Sequence, residues 1–262
     1  AMRQEIRGAL EGAGQWTHQY GSPANELCST DVRIQGPLGM LWYQDIAIDV
    51  PQRHGRAPAP LFYDGLLYHE GIDEIVCVDA YNGTEQWRHA LPGILKAYDG
   101  DELMGTAGTG SNYCIDESGV YIRRDDHCLR LDRRTGKELG KFTAPLQPDG
   151  QVGTWGYLAL EQGQLYGSLA NREHTVTFRY RATTGDLSEQ LTESMTLFAM
   201  DPMTGKVNWR YDAVDSIRHN AIAVGNDQVF LIDRPLAMFD RSSGKATEQQ
   251  PLGVLVALDA KN

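Results

Sequence analysis

Three short stretches carry the side chains best suited to holding a polar ligand: Arg53-His54, Trp155 and Arg218-His219-Asn220. A guanidinium presents a fixed fork of N–H donors to a carboxylate or phosphate, and an indole offers a flat face to a planar ring or a sugar. Brought together they would form a polar pocket with one aromatic wall, suited to an anionic or sugar-like ligand. Taken singly, each has a plainer explanation. Arg53-His54 reads as an exposed loop, Trp155 as core, and Arg218 to Asn220 as a hydrogen-bonded strand start. No residue is assigned a catalytic role.

Other chemistries find little support. His18, His54, His69, His89, His127, His174 and His219 are scattered with no H-x-x-x-H pair, and Asp125-Asp126-His127 reads as a tight turn, so no metal site is expected. Cys28, Cys77, Cys114 and Cys128 form no C-x-x-C pair and are expected as free thiols. Cys114 and Cys128 fall on the first and third strands of one meander, about 10 Å apart at the usual strand spacing and too far for a disulfide. Nucleotide-binding glycine patterns and the nucleophile elbow G-x-S-x-G are missing in any fitting context.

The elements that must position these residues are set by a recurring phrase: VDAYNGTEQW at Val78 to Trp87, LDRRTGKELG at Leu131 to Gly140, MDPMTGKVNW at Met200 to Trp209, and LDAKN at Leu258 to Asn262. Each follows an apolar or alternating run, so each reads as strand, tight turn, strand. Asp bonds backbone N–H groups two residues on, and Gly83, Gly136 and Gly205 supply positive φ. Trp87 and Trp209 then return on the outer strand, while blade two has Gly140 in that place and Phe142 is expected to take over. A second hairpin signal precedes each phrase, making the unit a four-stranded antiparallel meander. Intervals between Asp79, Asp132, Asp201 and Asp259 exceed the roughly 40–50 residues of common propeller repeats, so loops have been lengthened.

These residues resemble the β-propellers built from pyrroloquinoline-quinone-type repeats, which include quinoprotein alcohol dehydrogenases and the lipoprotein that helps assemble outer-membrane proteins. The resemblance covers roughly Pro58 to Asn262 and implies an all-β fold: a β-propeller of four-stranded antiparallel blades, here a partial propeller of about four blades. The expected division is 1–45 as an N-terminal lead with a closing strand and 46–262 as repeats, with blades at approximately 58–92, 108–145, 153–214 and 217–262. A short helical lead is expected at Arg3 to Gly12. The stretch Met40 to Tyr43, with Trp42, is expected as an outer strand of the kind that completes a last blade. Long excursions at Asn171 to Glu193 and Arg234 to Gly253 read as surface loops, the usual place of recognition. Innermost strand entries of a propeller converge on its channel, which is how the three polar stretches would meet.

Two functions from different classes follow. The first is a non-catalytic binding or scaffolding module recognising a protein, carbohydrate or small anionic ligand through blade loops, with no cofactor. The second, implied by the resemblance, is a quinoprotein alcohol or sugar dehydrogenase domain using pyrroloquinoline quinone with calcium. The adjacent Cys pair of such enzymes has no counterpart here. Trp155 would be the ring that stacks on the quinone. A net charge of −11 argues against nucleic acid as partner. The sequence contains no membrane-spanning apolar run. The resemblance suggests a periplasmic or cell-envelope location, and the chain is expected to be a fragment of a larger protein that self-associates or pairs with missing blades.

Overall fold

The computed structural model describes residues 9–45, 48–51, 57–96, 112–171, 191–234, 239–240, 245–246 and 253–262. Blade one is β1 (Leu61–Tyr63), β2 (Leu66–Glu70), β3 (Glu74–Asp79) and β4 (Glu85–Ala90), paired antiparallel in that order. Blade two repeats the plan with β5 (Tyr113–Asp116), β6 (Gly119–Arg123), β7 (His127–Leu131) and β8 (Glu138–Thr143). Blade three has longer strands: β9 (Trp155–Glu161), β10 (Gln164–Ala170), β11 (Glu193–Met200) and β12 (Val207–Arg218). Blade four comprises β13 (Ala223–Gly225) and β14 (Gln228–Asp233), then a separate hairpin of β15 (Phe239–Asp240) and β16 (Lys245–Ala246), and finally β17 (Val254–Asp259) against β14.

Turn chemistry fixes the register. The first hairpins of blades one and three reverse through Asp64-Gly65 and Gln162-Gly163, and that of blade four through Asn226-Asp227, every one of these residues at positive φ. Two successive residues at positive φ give the turn twist that matches twisted strands. In the recurring phrase, Asp201 Oδ1 accepts the N–H groups of Met203 (2.7 Å) and Thr204 (2.9 Å), and Asp132 Oδ1 does the same for Arg134 (3.0 Å) and Thr135 (2.8 Å).

The glycine of the phrase serves a second purpose that its φ alone does not announce. It is the seat for the ring of the preceding blade. A Cβ on Gly136 would stand 2.5 Å from Trp87 Cε3, and one on Gly83 would stand 2.6 Å from Trp42 Cε3. Trp87 Nε1 then donates to Arg133 O (3.0 Å), Trp209 Nε1 to Ala260 O (2.8 Å) and Trp42 Nε1 to Ala80 O (2.8 Å), in each case the carbonyl just after the turn Asp. Tyr68 and Tyr166, on β2 and β10, reach the Arg133 and Ala260 carbonyls too and tilt against Trp87 and Trp209 at 5.9 and 6.1 Å. In blade two the expected substitute is present: Phe142 stacks on Tyr121 and lies 3.0 Å from a Cβ position on Gly205.

Packing between blades gives three apolar cores. Tyr68, Trp87, Tyr113 and Leu129 join blades one and two; Tyr121, Phe142, Trp155 and Phe198 join two and three; Tyr166, Leu197, Val224 and Val229 join three and four. Among the described residues no such core joins blade four to blade one, so the four blades form an open arc.

The N-terminal stretch runs across the inner edge of that arc. Trp16 exchanges both backbone bonds with Phe62 of β1, Thr17 O accepts from Ile115 of β5, His18 Nε2 accepts from Leu160 of β9, and Pro23 O accepts from Val224 of β13. An unpaired inner edge is thereby satisfied blade by blade.

Several expectations need correction. Residues 1–8 of the expected helical lead lie outside the described residues, and 9–12 are not helical. Met40 to Tyr43 pairs in no ladder, although Trp42 occupies the ring position expected of it. Blade four does not open at 217: β12 continues to Arg218, because Glu193 and Ser194 of β11 keep pairing with Arg218 and Ile217. The excursion expected to run to Glu193 ends earlier, with Leu191, Thr192 and Glu193 all buried, and the one after Arg234 contains the β15–β16 hairpin. Arg123, charged as it is, is buried and donates to Gly156 O (3.0 Å) across the blade boundary.

Candidate functional site

Antiparallel order puts the starts of β1, β5, β9 and β13 at one end of the arc, with the ends of β2, β6, β10, β12 and β14. The glycine turns lie at the other. β4 ends and β5 begins at the first end, as do β10 and β11, and β14 and β17. Buried polar side chains collect there as well: Glu70, Asn112, Arg123, Ser168, Glu193, Ser194, Ser216 and His219.

At its centre is a directed hydrogen-bond chain. The Tyr157 N–H donates to Ser168 Oγ (2.7 Å), Ser168 Oγ lies 2.7 Å from Ser194 Oγ, and Ser194 Oγ lies 2.6 Å from His219 Nε2. With Ser168 donating to Ser194 and Ser194 to a neutral imidazole, every proton has one acceptor. Gly156 makes the convergence possible, since a Cβ there would come within 2.6 Å of both His219 Nε2 and Ser194 Oγ. Ser168, Ser194 and His219 are wholly buried, so this Ser–His contact offers no nucleophile to a substrate. His18 lies nearby, its pKa pushed down to about 3 by burial. Because its Nε2 accepts from Leu160, its Nδ1 carries the proton and donates to Thr17 Oγ1 (2.8 Å).

A second cluster lies toward the rim. Glu193 Oε2 accepts from Ser216 Oγ (2.9 Å), while its Oε1 stands 3.6 Å from Arg218 Nε and 3.9 Å from Arg234 Nη2. These separations exceed a hydrogen bond, and Glu193 Oε1, Arg218 Nε and Arg234 Nη2 are buried without partners. Burial lowers the Arg218 pKa, opposed by Glu193 and reinforced by Arg234. Two cations thus share one carboxylate. Across the arc, Glu70 has both oxygens unpartnered, and burial pushes its pKa up to about 8 against the opposing influence of Asn112, Arg123 and Arg124.

Of the expected site residues, Trp155 packs against Phe198, Arg218 sits beside Glu193, His219 lies against Gly156 and bonds Ser194, and Asn220 is exposed beside a shallow cleft lined also by His18, Tyr20, Asn25, Tyr157 and His219. Arg53 and His54 lie outside the described residues. The sequence reading missed His18, Ser168, Glu193, Ser194 and Arg234. A serine or glutamate at a strand's inward position carries no spacing signal, although the switch from polar to apolar in TESMTLFAM, Thr192 to Met200, marks a strand start.

No protein-family model matches the chain, and no curated protein matches it. Among solved structures, the quinohemoprotein alcohol dehydrogenase ADHIIG from Pseudomonas putida HK5 is similar over 95% of this chain, with a TM-score of 0.56 and 15% identity. The fold is a β-propeller, as in that dehydrogenase. This chain covers 39% of that dehydrogenase. A europium-containing methanol dehydrogenase (TM-score 0.42, 16% identity, 78% of this chain and 39% of that one) and BamB from Moraxella catarrhalis (0.39, 12%, 85% and 58%) are also similar.

Trp155 does not fit the stacking role that the resemblance implies for it. Trp155 has no exposed face: it packs edge-on against Phe198 at 5.0 Å, and a Cβ on Gly167 would touch its ring. Among the described residues no three His, Cys, Asp or Glu side chains stand close enough to hold a metal ion. No described helix is long and apolar enough to cross a membrane.

Proposed function

We propose that the chain is a non-catalytic propeller module that binds an anionic group of a protein, carbohydrate or small molecule at the end of the arc where the long connections gather. The observation that carries this reading is the contrast between the two polar clusters. The inner one is closed: Ser168, Ser194 and His219 spend their hydrogen bonds on one another. The rim cluster is open in charge, with Arg218 and Arg234 sharing Glu193 and each holding an N–H that donates to nothing. A carboxylate or phosphate entering there would take charge-assisted bonds from both guanidinium groups. A cell-envelope setting, suggested by the family resemblance, suits such a module.

The test is thermal unfolding with malonate or inorganic phosphate against chloride at matched ionic strength. A saturable rise in Tm, absent in Arg218→Gln and Arg234→Gln, supports the reading. A rise equal in all three proteins overturns it. The second reading, a pyrroloquinoline-quinone-dependent dehydrogenase domain, rests on the shared fold.

A further inference from the structure

Backbone pairing, not loop geometry, assembles the rim cluster. Glu193 faces Arg218 across the β11–β12 ladder, Ser216 lies two residues before Arg218 and so on the same face of β12, and the Arg234 N–H donates to Ser216 O (3.0 Å). Glu193 is wholly buried, and its Oε2 accepts from Ser216 Oγ (2.9 Å). By holding that oxygen, Ser216 leaves Oε1 as the free one. Arg218 Nε and Arg234 Nη2 stand off from Oε1 at 3.6 and 3.9 Å, and these three atoms are buried without partners.

A buried donor or acceptor without a partner is costly, and the form of the need defines what would relieve it. In hydrogen bonds, the cluster lacks two acceptors, one for each guanidinium, and one donor for Glu193 Oε1. In charge, two guanidinium groups against one carboxylate leave one positive charge in excess. A simple carboxylate answers the donors and the charge, but offers nothing to Oε1 and sets two carboxylates side by side. An amino acid offers its ammonium to Oε1, but brings no net charge and puts a third cation beside two others. A carboxylate with a hydroxyl on the adjacent carbon carries one negative charge, two acceptor oxygens and one neutral donor. Of the three, it alone matches on every count.

We propose that the rim cluster is a subsite for an α-hydroxy carboxylate, its carboxylate held by Arg218 and Arg234 and its hydroxyl donating to Glu193 Oε1. This rests on the anion-binding reading above and narrows it. The approach runs past Arg218, whose side chain is 29% exposed against 15% for Arg234 and 1% for Glu193.

Thermal-shift titrations of the 262-residue chain with sodium glycolate, sodium acetate and glycine at constant ionic strength yield three dissociation constants to compare. Glycolate should bind at least about tenfold tighter than acetate, the worth of one hydrogen bond to a charged acceptor, and tighter than glycine. In Glu193→Gln the amide oxygen stays with Ser216 and the amide nitrogen, a donor, replaces Oε1, so glycolate and acetate should bind alike. The preference is read first in the wild-type protein, so the proposal does not depend on that variant folding. Equal affinity for glycolate and acetate in wild type, with both lost in Arg218→Gln, overturns the proposal and leaves the anion-binding reading standing. Glycine binding tighter than glycolate overturns it as well. Binding of none of the three overturns both readings.

Discussion

If the glycine of the phrase is a ring seat as well as a turn residue, Gly136→Ala should cost far more than its backbone demands. Gly136 has φ +67°, and Gly163 has φ +74° with no atom within 4 Å of a Cβ placed on it. Alanine in the left-handed region costs about 1–2 kcal/mol, and at Gly163 that is the whole effect. At Gly136 the Cβ would lie 2.5, 2.7 and 3.1 Å from three atoms of the Trp87 ring, which is held by its bond to Arg133 O. Overpacking of about 1–3 kcal/mol adds to the backbone cost, for roughly 2–5 kcal/mol in all. Gly205→Ala, 3.0 Å from the less constrained Phe142, should fall between the two. Urea unfolding of the three variants measures the series. Because the clash belongs to the ring, Gly136→Ala on a Trp87→Ala background should recover most of the excess. Equal losses at Gly136 and Gly163 would refute the seat.

Trp87→Ala should itself cost about 3–5 kcal/mol, as the ring is buried; Trp209→Ala should cost less because its ring is partly exposed, and denaturant melts rank the two. Glu70 has a folded pKa raised from 4.5 to about 8 by burial. A raised value means that its contribution is full below 4.5 and lost as pH rises through 8. Glu70→Gln, which mimics the protonated acid, should match wild type near pH 4 and gain by about 1 kcal/mol per pH unit between those values. Thermal melts across that range check it, and parallel pH curves would count against a buried, proton-bearing Glu70.

The repeat was legible because its signals are local. Asp, Gly and the returning Trp fall at fixed offsets on one hairpin, so the chain shows its blades without any long-range information. Phe142 was legible for the same reason, two residues on from Gly140 along the same strand. What the sequence hid depends on contacts between distant segments. His18 meets Leu160, 142 residues on, and Ser168, Ser194 and His219 come from two strands and the 3-10 turn that follows β12, with Gly156 as the gap between them. The companion rings Tyr68 and Tyr166 were missed because their hydroxyls reach a carbonyl of the next blade, which no spacing encodes. Trp155 was read both ways, as core and as a stacking wall, and its packing against Phe198 decides for core. Strand length misled at Ser216, where β12 runs on past the outer edge expected from the shorter strands of blades one and two.

Titration with pyrroloquinoline quinone and calcium tests the proposed non-catalytic reading most directly, because the fold is shared with a dehydrogenase and Trp155, the ring expected to stack on the quinone, is buried. The account predicts no change in the quinone's visible absorbance, no rise in Tm and no alcohol-dependent dye reduction. Saturable binding with stabilisation, and dye reduction that requires an alcohol, would contradict it.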